Sequence, residues 1–140
     1  MKKILIAVDG SECALRAVKY VIGLLPNLAN AELHLINVQP ALPADVSRFV
    51  SAEDIKKFHQ DEAAKELKTA QEALDAAGAK YATHIVVGDP AQSITRFAEE
   101  NGVDQIVMGT HGRTGLAGVV MGSVATKTLH LSKVPVLVVR

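Results

Sequence analysis

Cysteine is scarce in this sequence of 140 residues, since Cys13 stands alone and rules out a disulfide bond within the chain. This scarcity fits a reducing compartment, and we predict a cytoplasmic protein. Long apolar runs are also missing: the first, Ile4 to Val8, ends at Asp9. A membrane-spanning helix needs about 20 consecutive apolar residues, so we expect no association with a membrane.

A net charge is absent as well, because 15 basic side chains balance 15 acidic ones. Proteins that take most of their affinity from nucleic-acid phosphates carry a basic excess, so the balance predicts no nucleic-acid partner. Hydrophobic residues make up 49% of the chain and charged residues 21%. This composition excludes disorder, collagen and a disulfide-held mini-protein, and the length predicts one domain over residues 1–140.

Five short apolar segments alternate with four segments of helical periodicity. The apolar segments are rich in Ile and Val, which is typical of strands covered on both faces. Their alternation with helices predicts right-handed crossovers and a three-layer α/β fold, in which an open five-stranded parallel sheet has helices on both faces. The predicted strands are residues 2–8, 31–38, 80–87, 103–108 and 135–139, and the predicted helices are 11–25, 51–77, 90–102 and 122–132.

Residues 39–50 contain Pro40 and Pro43 without clean periodicity, and they are predicted to be irregular. Their apolar side chains suit a lid over a ligand, a partner surface or packing on the sheet edge, and the sequence does not separate these roles. The helix that follows Ser51 is predicted to face inward through Ile55, Phe58, Ala63, Leu67, Ala70, Leu74 and Ala77.

The exits of the strands are where parallel sheets bind ligands, because loops diverge there and helix N-termini point inward. The fourth exit reads Gly109-Thr110-His111-Gly112, then nine residues, then Gly122-Ser123 at a helix start. Glycine lets backbone N–H groups approach a phosphate, and the helix N-terminus adds unpaired N–H groups. This pattern predicts an anion site, with a turn capped by Ser123 as the alternative.

Two common nucleotide signatures are missing. No Gly-x-x-x-x-Gly-Lys-Ser/Thr occurs, and the first strand is followed by Asp9-Gly10-Ser11 instead of Gly-x-Gly-x-x-Gly, which argues against a P-loop and against dinucleotide binding. The remaining Gly-x2-Gly-x9-Gly-Ser spacing resembles the motif of nucleotide-binding universal stress proteins. The resemblance covers essentially the whole chain, through residues 4–11, 87–90, 106–113 and 134–139.

The resemblance implies a Rossmann-like sheet in the order 3-2-1-4-5, with ATP, and Mg²⁺ with it, at the switch point between strands one and four. By position, adenosine would contact Ala7, Val8, Asp9 and Val38, adenine and ribose would lie on Met108 and Gly109, and the phosphates would be held by Gly112, Gly122, Ser123 and Val124.

Other polar residues have simpler interpretations. Arg113 is a candidate phosphate partner by its charge, with a solvated side chain as the alternative. Asp89 is predicted to cap a helix because Pro90 follows it. We interpret Cys13 as a packed thiol. The histidines at 34, 59, 84 and 130 are interpreted as structural, and no metal site and no catalytic residue are predicted.

The last strand would be an apolar edge unless something covers it. A two-fold homodimer through Val136 and Val138 removes that edge and is also what the resemblance implies. We therefore predict an ATP-binding regulatory dimer with little or no turnover, and a slow ATPase or nucleotide-transferring enzyme is the alternative. A phosphoacceptor receiver domain is excluded, because Asp9 has no acidic neighbour and Lys133 precedes the last strand.

Overall fold

The computed structural model describes residues 2–111 and 121–140. Its strands form one parallel sheet in the order β3-β2-β1-β4-β5, which confirms the predicted α/β architecture and strand order. The strands are β1 (Lys3–Ala7), β2 (Glu32–Gln39), β3 (Tyr81–Val87), β4 (Gln105–Gly109) and β5 (Val136–Val139), and the helices are α1 (Glu12–Leu24), α2 (Ala44–Ser47), α3 (Ala52–Ala76), α4 (Pro90–Glu100) and α5 (Ser123–Leu131).

The central strand β1 pairs with β2 on one side and with β4 on the other, so that Ile4 lies between Leu33 and Gln105. Both faces of this strand are covered, which is why Leu5 and Ile6 are fully buried despite pointing in opposite directions. Ile6 belongs to a core cluster with residues of α1 and α3, whereas Leu5 belongs to a second cluster with residues of α4. The sheet therefore separates two hydrophobic cores.

Side-chain caps fix the beginnings of three helices. The Ser11 and Ser51 hydroxyl oxygens accept hydrogen bonds from the third backbone N–H of α1 and α3, both at 3.1 Å. The Asp89 carboxylate accepts one from Gln92 at 3.1 Å, which confirms its predicted role as the cap of α4. Such caps replace water at the unpaired amides of the first turn. Helix α5 differs, because its N-cap is Gly122, which has no side chain.

The prediction that residues 39–50 are wholly irregular is wrong at α2. Pro43 precedes this single turn, and its carbonyl oxygen accepts hydrogen bonds from Val46 and Ser47, each at 3.0 Å. A proline fixes the backbone at such a helix start, and four residues are too few to show periodicity in the sequence.

The inward stripe of α3 was also predicted wrongly at two positions. Phe58 is 46% exposed while its neighbour His59 is 5% exposed, and Ala77 lies on the surface. The buried positions are His59, Ala63, Leu67, Ala70 and Leu74, at steps of three and four residues. The helical period selects His59 over the more apolar Phe58, because Phe58 lies one residue out of step.

Two histidines meet on the face of the sheet that α4 covers. His34 Nδ1 and His84 Nε2 are 2.8 Å apart, and the His84 ring lies 4.5 Å from that of Phe97. Glu32 bonds to His34 Nε2 at 2.8 Å, and this bond lowers the pKa of the Glu32 carboxyl. Burial, and then the charge of His34, lower the pKa of His84. These contacts fit the structural role that was predicted for both rings.

No helix within residues 2–111 and 121–140 is both long and apolar enough to cross a bilayer.

Candidate functional site

A cavity of about 330 Å³ opens at the carboxyl ends of β1, β2 and β4, on the face of the sheet that α4 and α5 cover. Its volume lies at the lower end of the range of small-molecule sites. All the predicted site residues except Gly112 and Arg113 line it: Ala7, Val8, Asp9, Val38, Met108, Gly109, Gly122, Ser123 and Val124. Gly112 and Arg113 lie outside the described residues.

The turn after β1 brings a carboxylate to the wall of this cavity. Asp9 Oδ1 accepts a hydrogen bond from the Ser11 backbone N–H at 3.0 Å, whereas Oδ2 accepts none from any residue that the structure describes. Gly10 has a φ of +84°, and a β-carbon there would lie 3.2 Å from the Glu66 Cα. Glycine therefore allows both the left-handed turn and the close approach of α3.

The end of β4 is held against the start of α1. A β-carbon on Gly109 would lie 2.8 Å from the carbonyl carbon of Cys13. Beside this contact, the Cys13 thiol donates to the Val139 carbonyl at 3.2 Å and lies 3.4 Å from Thr110 Oγ1. Burial raises the pKa of Cys13, but hydrogen bonds from Thr110 and from the His111 backbone outweigh burial, so that the pKa is lowered overall. Cys13 is 5% exposed, which agrees with a packed thiol.

The N-terminus of α5 brings to the cavity backbone amides that have no hydrogen-bond partner among the described residues. Gly122 donates to the Thr110 carbonyl at 2.6 Å, and the first hydrogen bond within the helix runs from Thr126 to the Gly122 carbonyl at 3.0 Å. The N–H groups of Ser123, Val124 and Ala125 precede that bond, and all three residues line the cavity. Because Gly122 is the N-cap, the alternative that Ser123 caps this helix is wrong. Uncapped amides and the positive end of the helix dipole together attract anions.

Charged side chains are few around this cavity. Among its described lining residues, Asp9 is the one carboxylate, His111 is the one other titratable group, and no lysine or arginine occurs. His111 Nδ1 lies 3.0 Å from Thr110 Oγ1. The described chain holds no group of three or more potential metal-ligating side chains. The described part of the site therefore offers backbone amides and apolar contact to a ligand.

Sequence analysis missed the contribution of α4. Pro90 and Ile94 line the cavity, although Pro90 was interpreted only as a helix start and Ile94 was given no role at the site. The signal was present: α4 begins directly at the exit of β3, and helices that follow parallel strands begin at the ligand-binding edge of the sheet. Ala14, Ile36 and Ala125 were missed for a similar reason, because nothing in their residue type separates a cavity wall from a core.

Comparison with known proteins identifies relatives along the whole chain. The model of the universal stress protein family matches residues 1–140. Universal stress protein MJ0531 of Methanocaldococcus jannaschii is 38% identical over 145 residues, which cover 99% of this chain and 82% of that protein.

Solved structures agree with this result. The structure of MJ0577 from the same organism, determined for a structure-based assignment of biochemical function, has a TM-score of 0.84 and 36% identity, and the match covers 99% of this chain and 94% of that one. A universal stress protein in complex with cAMP has a TM-score of 0.74 and 28% identity, with 99% of this chain and 97% of that chain covered. On the full-length match to the family and the shared fold, this chain belongs to the universal stress protein family.

Proposed function

We propose that this chain is an ATP-binding regulatory module of the stress response, with little or no turnover of the nucleotide. One observation carries the proposal: a single cavity joins an apolar wall, which includes Val38 and Met108, to the uncapped N-terminus of α5. An adenine ring needs an apolar slot, and phosphates need N–H donors and positive potential. Both requirements are met within the same cavity.

In this proposal the base and ribose lie against β1, β2 and the end of β4, and the phosphates extend toward α5. Oδ2 of Asp9 is available for a ribose hydroxyl or for a water of Mg²⁺. The ion would travel with the phosphates, since a single carboxylate does not make a magnesium site by itself. The cAMP complex of the 28% identical relative supports an adenine nucleotide as the ligand.

The titratable groups on the described wall support the proposal of little turnover. Rapid phosphoryl transfer needs an oriented nucleophile, a metal and cationic groups on the transferred phosphate. Asp9 and His111 are the titratable groups on the described wall, and no cationic side chain joins them. Bound ATP would therefore act by stabilising one conformation or one assembly. Slow hydrolysis at the same site is the competing activity.

We also propose that the chain forms a homodimer in the cytoplasm through β5. This strand is at the edge of the sheet, with β4 on its other side. All four of its residues are half-buried in the single chain, including Val136 and Val138. An apolar edge of this kind is protected when it pairs with a second copy.

The test is calorimetric titration of nucleotide-stripped protein with ATP and magnesium, using Gly122→Val as the variant. Gly122 has φ −78° and ψ 167°, which a β-branched residue adopts without strain, so the fold should persist while the new side chain enters the cavity. We expect at least a tenfold loss of ATP affinity. The control is Gly23→Ala, where a β-carbon would meet nothing within 4 Å and which lies outside the cavity.

Unchanged ATP affinity in the folded Gly122→Val variant would contradict the assignment of the phosphates to this helix start. Absence of ATP binding by the parent protein would contradict the proposed function itself. Chromatography of the same sample after several hours separates the two activities. Intact ATP supports the regulatory module, whereas complete conversion to ADP would favour the ATPase as the function of this site.

A further inference from the structure

Two amide side chains are buried beneath the turn that carries Asp9. Asn37 is fully buried and Gln39 is 3% exposed, and they alternate along β2 with Leu35, which belongs to the apolar cluster under α3. Neither amide is among the described walls of the first cavity, or of a second one between β3 and the first turns of α3. Burial of an amide is unfavourable unless it is hydrogen-bonded. The hydrogen bonds that these two side chains make therefore indicate their role.

The Asn37 side chain bonds to the backbone at the point where β1 leaves the sheet. Ala7 is the last residue of β1 that pairs with β2, and the Val8 N–H still donates to the Ile36 carbonyl at 2.9 Å. The Val8 carbonyl lies beyond the paired residues, and the Asn37 side-chain N–H donates to it at 2.8 Å. Because Val8 directly precedes Asp9, β2 holds both backbone polar groups of the residue before that carboxylate.

Gln39 extends this bond to α3. Its side-chain nitrogen donates to Asn37 Oδ1 at 2.7 Å and to the Glu66 carboxylate. A carbonyl only accepts, so the Val8 oxygen requires the Asn37 nitrogen and leaves the Asn37 oxygen for Gln39. Glu66 is also the residue whose Cα would lie 3.2 Å from a β-carbon on Gly10. Asn37, Gln39 and Glu66 thus form a polar network, which together with this close contact fixes the turn from the α3 side.

We propose that Asn37, Gln39 and Glu66 are positioning residues, which act on the nucleotide site through residues 8–10 from the opposite face of the sheet. The inference rests on the proposed function, in which Asp9 meets a ribose hydroxyl or a water of Mg²⁺. Without the network, the peptide before Asp9 rotates more freely and its carboxylate leaves the cavity wall more often. ATP would then have to order the turn as it binds, and that ordering lowers affinity although every group that touches the ligand is still present.

Asn37→Leu tests the network, because leucine has a similar volume and no donor for the carbonyl before Asp9. Hydrogen exchange of the ligand-free protein reports on the turn through the Ser11 amide, which donates to Asp9 Oδ1 at 3.0 Å. We expect roughly fivefold faster exchange of this amide in Asn37→Leu, and a roughly fivefold loss of ATP affinity by calorimetry. Gln71→Leu is the matched control, because Gln71 also joins α3 to the sheet, through Thr83 at 3.3 Å, and lies outside the first cavity.

A double-mutant cycle with Asp9→Ala separates positioning from general destabilisation. If the network acts through the Asp9 carboxylate, Asn37→Leu should change the ATP affinity by less than about twofold once that carboxylate is absent. Gln39→Leu keeps the bond between Asn37 and Val8, so we expect a smaller change in the same direction in both measurements. It also gives the answer if Asn37→Leu does not fold.

Three results would overturn the inference. They are parent-like Ser11 exchange and ATP affinity in the folded network variants, equal changes in Gln71→Leu, and an undiminished effect of Asn37→Leu in the Asp9→Ala background. A parent protein that does not bind ATP would overturn the proposed function instead. Ser11 exchange would still decide whether the network holds the turn, because it is measured without ligand.

Discussion

Gly109 shows how one residue can fix the distance between two elements. A β-carbon at this position would meet the backbone of Cys13 and Ala14 at 2.8 and 3.0 Å, and neither is the end of a flexible side chain. Glycine is needed here for space, since its φ is not in the left-handed region. The close packing of β4 on α1 at the rim of the cavity depends on the missing side chain.

Gly109→Ala is therefore expected to lower the free energy of unfolding by about 1 to 3 kcal/mol, the usual result of overpacking. Gly23→Ala should act in the opposite direction, by about 0.5 to 1 kcal/mol, because this helical glycine has open space around it. Urea denaturation of both variants measures the difference. Equal stability of the two would show that α1 moves away from β4 without cost.

His84 makes stability depend on pH. Burial and then the charge of His34 lower its pKa, so the folded chain binds a proton at His84 more weakly than the unfolded chain, whose histidines titrate near pH 6.5. The stabilisation that neutral His84 contributes to the folded chain is fully present above about pH 6.5. It is lost as the pH falls through the lowered pKa of His84.

We expect His84→Gln to reduce the loss of stability between about pH 7.5 and 5.5, a window that lies above the titration of the carboxylates. Urea denaturation at several pH values measures the slope, and His130→Gln, at an exposed position, is the control. An unchanged slope in His84→Gln would assign the pH dependence to other groups.

At the scale of elements, α4 depends on a cap that has two roles. Asp89 accepts from the Gln92 N–H at 3.1 Å and from Lys127 of α5 at 3.2 Å, and these bonds lower the pKa of its carboxyl. Pro90 then starts the helix. The residue thus links the beginning of α4 to α5, the two helices that border the first cavity.

Asp89→Ala should lower the melting temperature, because it removes the side chain that caps α4. Asp89→Asn keeps an acceptor for the Gln92 amide and should recover most of that loss, because exposed ion pairs contribute little. Thermal unfolding of both variants beside Lys127→Met measures the two contributions separately. A full loss in Asp89→Asn would assign the effect to the ion pair.

The elements that the sequence predicted well are those with a strong local signal. Strands β1 and β4 are nearly continuous apolar runs. The pair Asp89-Pro90 is typical of a helix start, with a capping carboxylate followed by a proline in the first turn. The burial of Phe58 was predicted wrongly because its residue type suggests burial. The helical spacing counted back from Ala63 instead places His59 on the buried face. The position of the site was predictable because parallel sheets bind ligands at the carboxyl ends of their strands. The wall that α4 contributes to the first cavity arises from tertiary packing, which a local sequence pattern does not reveal.

At the scale of the whole molecule, the position of β5 at the edge of the described sheet supports the proposed assembly. Val136 packs on the cluster beneath α4, whereas Val138 belongs to neither core cluster. Replacing Val136 would therefore disturb the core as well as the edge. Val138 is the position at which the assembly can be tested with less damage to the fold.

Val138→Glu is expected to give a folded monomer in sedimentation, because two buried like charges would face each other across a two-fold axis. Lys133→Glu, an exposed change just before β5, should leave the dimer intact. A stable dimer of Val138→Glu would place the interface elsewhere, and circular dichroism distinguishes dissociation from unfolding.

The position of β1 between β2 and β4 also bears on how the chain folds while it is being made. Residue Ile4 meets its partner Gln105 only after about one hundred further residues have been added. A nascent chain that ends before β4 can pair β1 with β2 and β2 with β3, but the other edge of β1, formed by fully buried residues in the finished molecule, stays open. Arrival of β4 closes that edge, and α5 then brings the last walls of the first cavity. A ribosome-bound intermediate of this protein is therefore prone to aggregate, and it cannot form the first cavity until synthesis is almost finished.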